Sequence, residues 1–271
     1  MHAPILNKHL RMITIQPHVS EKIQHQVALS VLIAEFKQFL PAAAIISEPE
    51  ALRPFECDGL SVYHCLPWLV VLPETVEQVQ RIITFCYMQG VPVVARGAGT
   101  GLAGGAVPLD NGVLLGLSKL NQILEIDSAN RLASVQPGVR NVSISQAAAQ
   151  YGLYYAPDPS SQIACTIGGN VAENSGGVHC LKYGLTTHNI LRIKMVTMDG
   201  ELVTVGSHGL DSAGLDLLAL MAGSEGLLGV VVEVTVKLLP IPEQARVILA
   251  AFDDLEKAGQ ARRSRALLPQ D

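Results

Sequence analysis

The sequence predicts an α+β protein that combines a small parallel sheet with a mainly antiparallel sheet. Between residues 69 and 95, two short apolar runs flank an amphipathic helical pattern, an order typical of a β-α-β unit with parallel strands. Further along, Asp199-Gly200 separates two β-branched runs, which predicts a hairpin and therefore antiparallel pairing. Of the 271 residues 49% are hydrophobic, so the chain can bury a substantial core.

The elements up to the β-α-β unit have local signals at their ends. Apolar residues recur at helical spacing over residues 20–40 and stop at Pro41, which predicts a leading helix. Residues 69–72 are predicted as a buried strand. Thr75-Val-Glu-Gln78 then matches the capping box that begins a helix, and Gly90 is expected to end that helix.

The remaining elements follow from short β-like runs and two further helical patterns. The predicted helices are 142–151 and 215–221, and the predicted strands are 91–95, 113–117, 123–126, 131–136, 190–198, 201–205 and 230–239.

Composition and charge exclude several classes of function. The formal net charge is −5 and the basic residues are scattered, so no basic face for nucleic acid is indicated. Every apolar run breaks well before the roughly 20 residues that a membrane helix needs. The N-terminus lacks the apolar segment of a secretory signal, which predicts a cytoplasmic location. The five cysteines form no C-x-x-C pair, and His179 and His188 have no carboxylate companion, so no metal site is predicted.

The segment 93–108, VVARGAGTGLAGGAVP, contains a glycine loop (residues 97–106) directly after a predicted strand. From Gly99 it spells G-x-G-x-x-G, the fingerprint of nicotinamide-dinucleotide enzymes. That fingerprint requires a long helix after the loop, whereas a proline and an Asn-Gly pair follow and the next run is β-like. The sequence therefore favours a nest, in which backbone N–H groups surround an anion and Arg96 adds a positive charge. A tight turn between strands stays open as the structural alternative.

Two more glycine-rich zones follow the glycine loop. Residues 157–184 contain Ile167-Gly-Gly-Asn170 and Asn174-Ser-Gly-Gly177, and we expect the same anion-binding chemistry there. Two such zones, separated by strands, can hold an extended ligand from two sides. Residues 223–229, GSEGLLG, taken alone favour a helix-to-strand connection ended by glycine.

Four blocks occur in one order: VLPETVEQV, PVVARGAGTGLAGGAVP, APDPSSQIACTIGGNVAENSGGVHCLKYG and GSEGLLGVVVEVTVKLLP. Over residues 49–242 they resemble the FAD-linked oxidases of the vanillyl-alcohol-oxidase/PCMH type. Within that family the resemblance is closest to the branch of glycolate oxidase flavin subunits and of D-lactate and D-2-hydroxyglutarate dehydrogenases. It implies a PCMH-type FAD-binding fold of two α/β subdomains, one with the small parallel sheet and one with the mainly antiparallel sheet.

The resemblance also implies cofactor-binding residues from all three glycine zones. The glycine loop would cradle the pyrophosphate, the second zone would border the flavin and its phosphates, and the later residues would complete the ribityl and adenine surroundings. The implied residues are Arg96, Gly97, Ala98, Gly99, Thr100, Gly101, Leu102, Gly104, Pro157, Asp158, Ser161, Thr166, Ile167, Gly168, Gly169, Asn170, Asn174, Ser175, Gly176, Glu225, Gly229 and Val230. Because the glycine loop has no histidine and its nearest cysteine is Cys86, we expect noncovalent FAD.

The same resemblance implies three parts of the chain. Residues 1–66 would be an N-terminal helical leader, 67–242 the PCMH-type FAD-binding domain, and 243–271 the start of a truncated cap or substrate domain. Two departures from the family pattern matter. Leu227 stands where family members often have Thr or another small residue, and the pattern stops near Gln260, where we expect a truncation or frame change.

The activity implied by the resemblance is oxidation of a 2-hydroxy acid, of glycolate or D-lactate type, to the 2-oxo acid by hydride transfer to flavin N5. The catalytic base would lie in the missing half. His179 is the nearest candidate in this chain, although its position favours a structural hydrogen bond. The alternative is a truncated, catalytically inactive FAD-binding remnant. Implied partners are the 2-hydroxy-acid substrate and other oxidase subunits, including an iron–sulfur subunit. Through its partner subunits the chain would lie peripherally at the inner membrane.

Overall fold

The computed structural model describes residues 27–209, 214–244 and 249–266. The helices are α1 (Leu29–Phe36), α2 (Pro49–Leu52), α3 (Val76–Gln89), α4 (Asn141–Ala148), α5 (Ile167–Glu173), α6 (Cys180–Tyr183), α7 (Leu217–Met221) and α8 (Leu255–Ala266). The strands are β1 (Ile45–Ile46), β2 (Leu69–Val71), β3 (Val93–Arg96), β4 (Val113–Gly116), β5 (Ile123–Asp127), β6 (Leu132–Val135), β7 (Leu153–Tyr154), β8 (Ile190–Val196), β9 (Leu202–Gly206), β10 (Val230–Lys237) and β11 (Leu239–Pro240).

The first sheet has the strand order β1-β2-β4-β3. The predicted β-α-β unit is present, because β2 and β3 are parallel to the same neighbour, but that neighbour, β4, lies between them. The strand β4 suits this central position because Val113, Leu114 and Leu115 are fully buried, as central parallel strands are on both faces. The antiparallel edge strand β1, which the sequence did not predict, joins residues 45–46 to β2.

Helix α3 begins and ends at the residues that the sequence indicates. The Thr75 hydroxyl accepts a hydrogen bond from the Gln78 backbone N–H at 3.3 Å, and the Gln78 side chain accepts one from the Thr75 N–H. Gly90 ends the helix in the left-handed conformation with φ +64°. The helix also reaches the second sheet, because the Gln80 side chain donates to the Gly200 carbonyl at 3.0 Å.

The second sheet is antiparallel throughout and has the order β5-β6-β10-β8-β9. The predicted hairpin joins β8 to β9, with Val196 opposite Leu202. The first residues of β10, Val230 and Val232, pack into the core around α3, whereas later residues of the strand, such as Val234, pack into the core of the second sheet. This strand therefore ties the two sheets together, and the predicted α+β class is confirmed.

Two predicted helices differ in extent from the structure. Helix α1 begins at Leu29, and the part predicted for residues 20–26 lies outside the described residues. Helix α4 ends at Ala148, and residues 149–151 continue as a 3₁₀ turn that Gly152 ends with φ +71°. Within the described ranges, no helix combines the length and apolar character needed to cross a membrane.

Candidate cofactor-binding site

A cleft of about 300 Å³ opens at the carboxyl end of the parallel strands, where β3 runs into the glycine loop. Ligands of open sheets with parallel strands commonly bind at this end, and the volume lies within the range of small-molecule sites. The glycine loop forms one wall, helix α5 a second, and the connection 223–229 between α7 and β10 a third. The element after the glycine loop is the strand β4, so the helix required by a nicotinamide fingerprint is absent from these described residues.

Arg96 fastens the two ends of the glycine loop. Its Nη1 donates to the Cys57 carbonyl at 2.7 Å and to the Ala106 carbonyl at 3.3 Å. Its guanidinium lies against Gly99, where a Cβ would collide with it, and Gly99 has φ +68°. Burial lowers the pKa of Arg96, while the nearby Asp58 carboxylate opposes that shift. Arg96 therefore lines the cleft as expected, but its guanidinium donates these two hydrogen bonds to backbone carbonyls of the protein itself.

The glycine loop and the start of α5 approach each other more closely than a methyl group allows. A Cβ on Gly97 would collide with Thr166 Oγ1 and lie 3.6 Å from the Gly169 nitrogen. Gly168 is constrained from the other side, since its Cβ would lie 2.6 Å from the Pro137 Cβ. Glycine is therefore needed at these positions for close packing.

The second glycine zone does not repeat the loop that we expected. Residues 167–173 form helix α5, with Thr166 in an extended conformation before its first turn. Ile167 and Val171, one helical turn apart, are fully buried in the second core and hold the segment helical. The segment Ile167-Gly-Gly-Asn170 is therefore helical, and the anion-binding chemistry expected of it stays a prediction.

Two buried polar atoms of this zone have no partner within the protein. Thr166 and Asn170 are only 5% and 2% exposed, and both line the cleft. Neither the Thr166 hydroxyl nor the Asn170 amide nitrogen makes a hydrogen bond. Buried polar groups are nearly always paired, so these two indicate a ligand that supplies the missing partners.

The connection 223–229 docks on the end of α5 through its backbone. The Gly223 and Glu225 nitrogens donate to the carbonyls of Val171 and Ala172 at 2.8 and 2.9 Å. Glu225 has φ +52°, a left-handed conformation that is unfavourable for a residue with a side chain. This docking places the Glu225 carboxylate beside the glycine loop, where its Oε2 lies 3.1 Å from the position of a Cβ on Gly105.

Most of the implied cofactor-binding residues line this cleft. They are Arg96, Gly97, Ala98, Gly99, Thr100, Gly101, Leu102, Ser161, Thr166, Gly168, Gly169, Asn170, Ser175, Glu225, Gly229 and Val230. The structure places six others outside the lining, namely Gly104, Pro157, Asp158, Ile167, Asn174 and Gly176. Ile167 belongs to the core, and the Asn174 side chain accepts a hydrogen bond from the Thr187 nitrogen.

Sequence reasoning missed several residues of the cleft lining. They are Asp58, Ala95, Gly105, Ala106, Leu117, Pro137, Cys165, Ala172, Glu173, Met221, Ser224, Gly226 and Val231. Most of them lie next to predicted site residues along the chain, and this adjacency was the sequence signal that could have identified them. Asp58 had none, because it lies in a turn before β2 that only the folded chain brings to the glycine loop.

One cysteine lines the cleft, and it is not the cysteine that lies nearest to the glycine loop along the chain. Cys165 is 4% exposed and belongs to the lining, whereas Cys86 does not. Cys86 lies in the core on α3, where burial raises the pKa of its thiol to about 12. No histidine is among the described residues of the lining.

His179 lies outside the lining and is held by Asp158. Its Nδ1 is 2.6 Å from Asp158 Oδ2, and its backbone nitrogen donates to Asp158 Oδ1 at 3.3 Å. The His179 ring also lies near Tyr183, with 6.5 Å between the ring centroids. This arrangement agrees with the structural role that the sequence favours for His179.

The two sheets and a glycine-lined cleft with unpaired donors define a domain that binds a nucleotide-containing cofactor. The family model described as FAD binding domain matches residues 67–206, more than half of the chain. The chain belongs to this family of FAD-binding domains, and its cofactor is FAD.

Solved structures of an alkyldihydroxyacetonephosphate synthase share the fold. Two crystal forms give TM-scores of 0.70 and 0.71 at 23% identity, covering 79% and 82% of this chain and 44% and 42% of the compared chains. The likeness at this identity concerns the fold alone, and it confirms the PCMH-type FAD-binding fold.

The curated relatives are more similar in sequence. Glycolate oxidase subunit GlcD of Escherichia coli (strain K12) is 62% identical over 232 residues, which are 86% of this chain and 46% of the relative. The subunit of the same name in Bacillus subtilis (strain 168) is 42% identical over 76% of this chain and 44% of its own length. D-lactate dehydrogenase of Anaerostipes hadrus is 35% identical over 86% of this chain and 49% of its own length. The chain spans about half the length of the curated relatives it matches.

Proposed function

We propose that this chain is the FAD-binding portion of a flavin-dependent oxidoreductase that oxidises a 2-hydroxy acid to the 2-oxo acid. The observation that carries the proposal is the cleft itself, whose buried Thr166 hydroxyl and Asn170 amide lack partners beside a glycine backbone without side chains. A phosphate-bearing cofactor fits these donors. Relatives named for glycolate, D-lactate and D-2-hydroxyglutarate all act on 2-hydroxy acids, which supports the substrate class.

The implied cofactor residues keep their roles as part of this proposal. The backbone of residues 96–104 would bind the diphosphate. The flavin and its phosphates would be bordered by Pro157, Asp158, Ser161 and residues 166–170. The ribityl and adenine surroundings would be completed by residues 174–176 and by Glu225, Gly229 and Val230. When bound, FAD supplies a two-electron acceptor that takes a hydride from the C2 carbon of the substrate. The glycine loop has no side chain that could form a tether to it, which supports noncovalent binding.

A second candidate is a chain that binds FAD without turnover of its own. One observation favours it. None of the described residues that line the cleft is a histidine that could serve as a base for the substrate hydroxyl. In that case FAD would bind, but a 2-hydroxy acid would not reduce it.

Partner subunits belong to the same proposal. Two of the relatives described above carry the word subunit in their names. Large apolar side chains next to the cleft-forming segments are exposed, and these are Leu102, Ile163, Val178, Leu181 and Leu227. Exposed apolar patches commonly mark surfaces that another protein part covers. An iron–sulfur subunit as that partner, the domain limits at residues 66 and 242, and a cytoplasmic or peripheral inner-membrane location stay predictions.

The test is an absorbance spectrum of the purified chain after reconstitution with FAD, repeated without oxygen after addition of glycolate and then D-lactate. Flavin bands that bleach support the oxidoreductase. Bands that persist support the second candidate, and the absence of bound flavin would overturn both. A Thr166→Val variant tests the role of the hydroxyl, because it removes that group while keeping the shape of the side chain, and it should bind FAD more weakly than the wild type.

A further inference from the structure

Three carboxylates line the cleft that is proposed to bind a dianionic diphosphate. Asp58 comes from the turn before β2, Glu173 from the end of α5, and Glu225 from the connection 223–229. Among the described residues of the lining, Arg96 is the one basic residue, and its Nη1 donates to two backbone carbonyls. The cleft therefore carries an excess of negative charge before a ligand enters, which opposes the binding of an anion.

Glu173 and Glu225 contact the same part of the glycine loop from two walls of the cleft. Glu173 Oε1 lies 3.5 Å, and Glu225 Oε2 3.1 Å, from the position that a Cβ on Gly105 would occupy. Glu173 Oε1 is also 3.4 Å from the corresponding position on Gly101. This backbone is the part of the cleft that the proposed function assigns to the diphosphate, so ionised Glu173 and the phosphates would be close like charges.

The carboxylates face a ligand site and not merely a solvated surface. Thr166 and Asn170, each at least nine-tenths buried, line the same cleft, and Thr166 Oγ1 and the Asn170 amide nitrogen have no hydrogen-bond partner. Among the described residues, no group of three His, Cys, Asp or Glu side chains is arranged to hold a metal ion. A proton on one of these carboxylates would offset part of the repulsion.

We propose that Glu173 takes up a proton when FAD binds, so that the phosphates meet one negative charge fewer. The inference rests on the proposed FAD site and adds a titratable partner to it. Burial, and then the charges of Glu225 and Asp58, already raise the pKa of Glu173 without FAD. The phosphates raise that pKa further, because a nearby negative charge disfavours the ionised carboxyl.

The pKa of Glu173 differs between the free protein and the FAD complex, and this difference sets the direction in which FAD affinity changes with pH. A group with a higher pKa in the complex than in the free protein binds a proton on complex formation. FAD affinity is then greatest below the free pKa and falls as the pH rises past the pKa in the complex, by about 2- to 5-fold in total for one solvent-screened charge. Glu173 is open to solvent on its outer side, so added salt weakens the coupling.

The test measures FAD affinity of the complete chain by titration calorimetry between about pH 5 and pH 8, above the ordinary carboxyl range. Each pH is repeated in two buffers of different ionisation enthalpy, which reports the number of protons taken up. Glu173→Gln is the variant, and Glu201→Gln, an exposed acid in the β8–β9 hairpin, is the charge-matched control.

We expect proton uptake in the wild type and in Glu201→Gln, and none in Glu173→Gln. At pH 8 the Glu173→Gln variant should bind FAD about 2- to 5-fold more tightly, the effect of removing one solvent-screened charge. FAD binding without proton uptake in the wild type, or equal uptake in Glu173→Gln, overturns the inference and leaves the FAD site standing. Failure of FAD to bind at any pH overturns the proposed function, and this inference with it.

Discussion

A methyl group added at Gly97 tests whether close approach of backbone forms the cofactor cleft. In Gly97→Ala the new Cβ would collide with Thr166 Oγ1 and lie 3.6 Å from the Gly169 nitrogen. Gly97 is outside the left-handed region, so the substitution adds volume without backbone strain. Thr166 is 5% exposed and β-branched, and it therefore cannot turn away into free space. The start of α5 and the glycine loop must separate to admit the methyl group.

The size of the effect follows from overpacking. Extra methyl groups in packed sites cost about 1–3 kcal/mol. If the strain is borne mainly by the closed, FAD-bound cleft, it corresponds to about a 5- to 150-fold loss of FAD affinity, at about 1.4 kcal/mol per tenfold. Flavin fluorescence titration measures the affinity, and urea unfolding with and without FAD measures the free energy of unfolding.

Gly90→Ala is the matched control for a general loss of stability. Gly90 has φ +64° at the end of α3, with no atom near the new Cβ, so the substitution strains a helix end far from the cleft. We expect it to lower the free energy of unfolding by about 1 kcal/mol and to leave FAD affinity unchanged. If Gly97→Ala binds FAD like the wild type, or Gly90→Ala loses as much affinity, the packing argument is refuted.

Three further predictions follow from single side chains. Thr166→Val should weaken FAD binding yet raise the free energy of unfolding of the FAD-free chain by about 1 kcal/mol, because it removes an unpaired buried hydroxyl; urea unfolding and flavin titration check both. Thr75→Ala should lower the free energy of unfolding by about 1 kcal/mol through loss of the capping box, and an unchanged urea midpoint would contradict this. Burial raises the pKa of Cys86 to about 12, so an alkylating reagent at about pH 8 should label this thiol only when the chain is unfolded in urea. Mass spectrometry measures the labelling, and fast labelling of Cys86 in the folded chain would disprove the prediction.

The fold could be predicted where the deciding contacts are local. The capping box and Gly90 fix α3 within a few residues, and the Asp-Gly pair fixes the β8–β9 hairpin in the same way. The position of β4 between β2 and β3 was not predictable, because three equally apolar strands can pair in several orders. That order is decided by which strands the crossover segments bring together, a non-local property.

The cleft shows the same difference between features decided by local contacts, which the sequence can predict, and features decided by non-local contacts. The glycine loop could be found from composition, since a backbone that must approach a ligand or another chain segment excludes side chains. Asp58-Gly59 indicates only a turn in the sequence, yet a Cβ on Gly59 would lie 2.7 Å from the Gly101 carbonyl oxygen and 2.9 Å from that of Thr100. This turn therefore packs against the backbone of the glycine loop. Gly59 and Gly101 are 42 positions apart along the chain, so no local pattern could report the contact.

The second glycine zone shows why glycine content alone does not distinguish a nest from a helix. Gly99 is required for a left-handed backbone, whereas Gly168, in helical conformation, is required because a Cβ would lie 2.6 Å from the Pro137 Cβ. The deciding signal was the apolar pair Ile167 and Val171, four residues apart, which places one face of the segment in the core. Glycine then occupies the opposite face, where the helix backbone meets the glycine loop and the cleft. A glycine pair enclosed by such an apolar pair therefore predicts a helix packed against a ligand site, even though each glycine lowers helix propensity by about 1 kcal/mol.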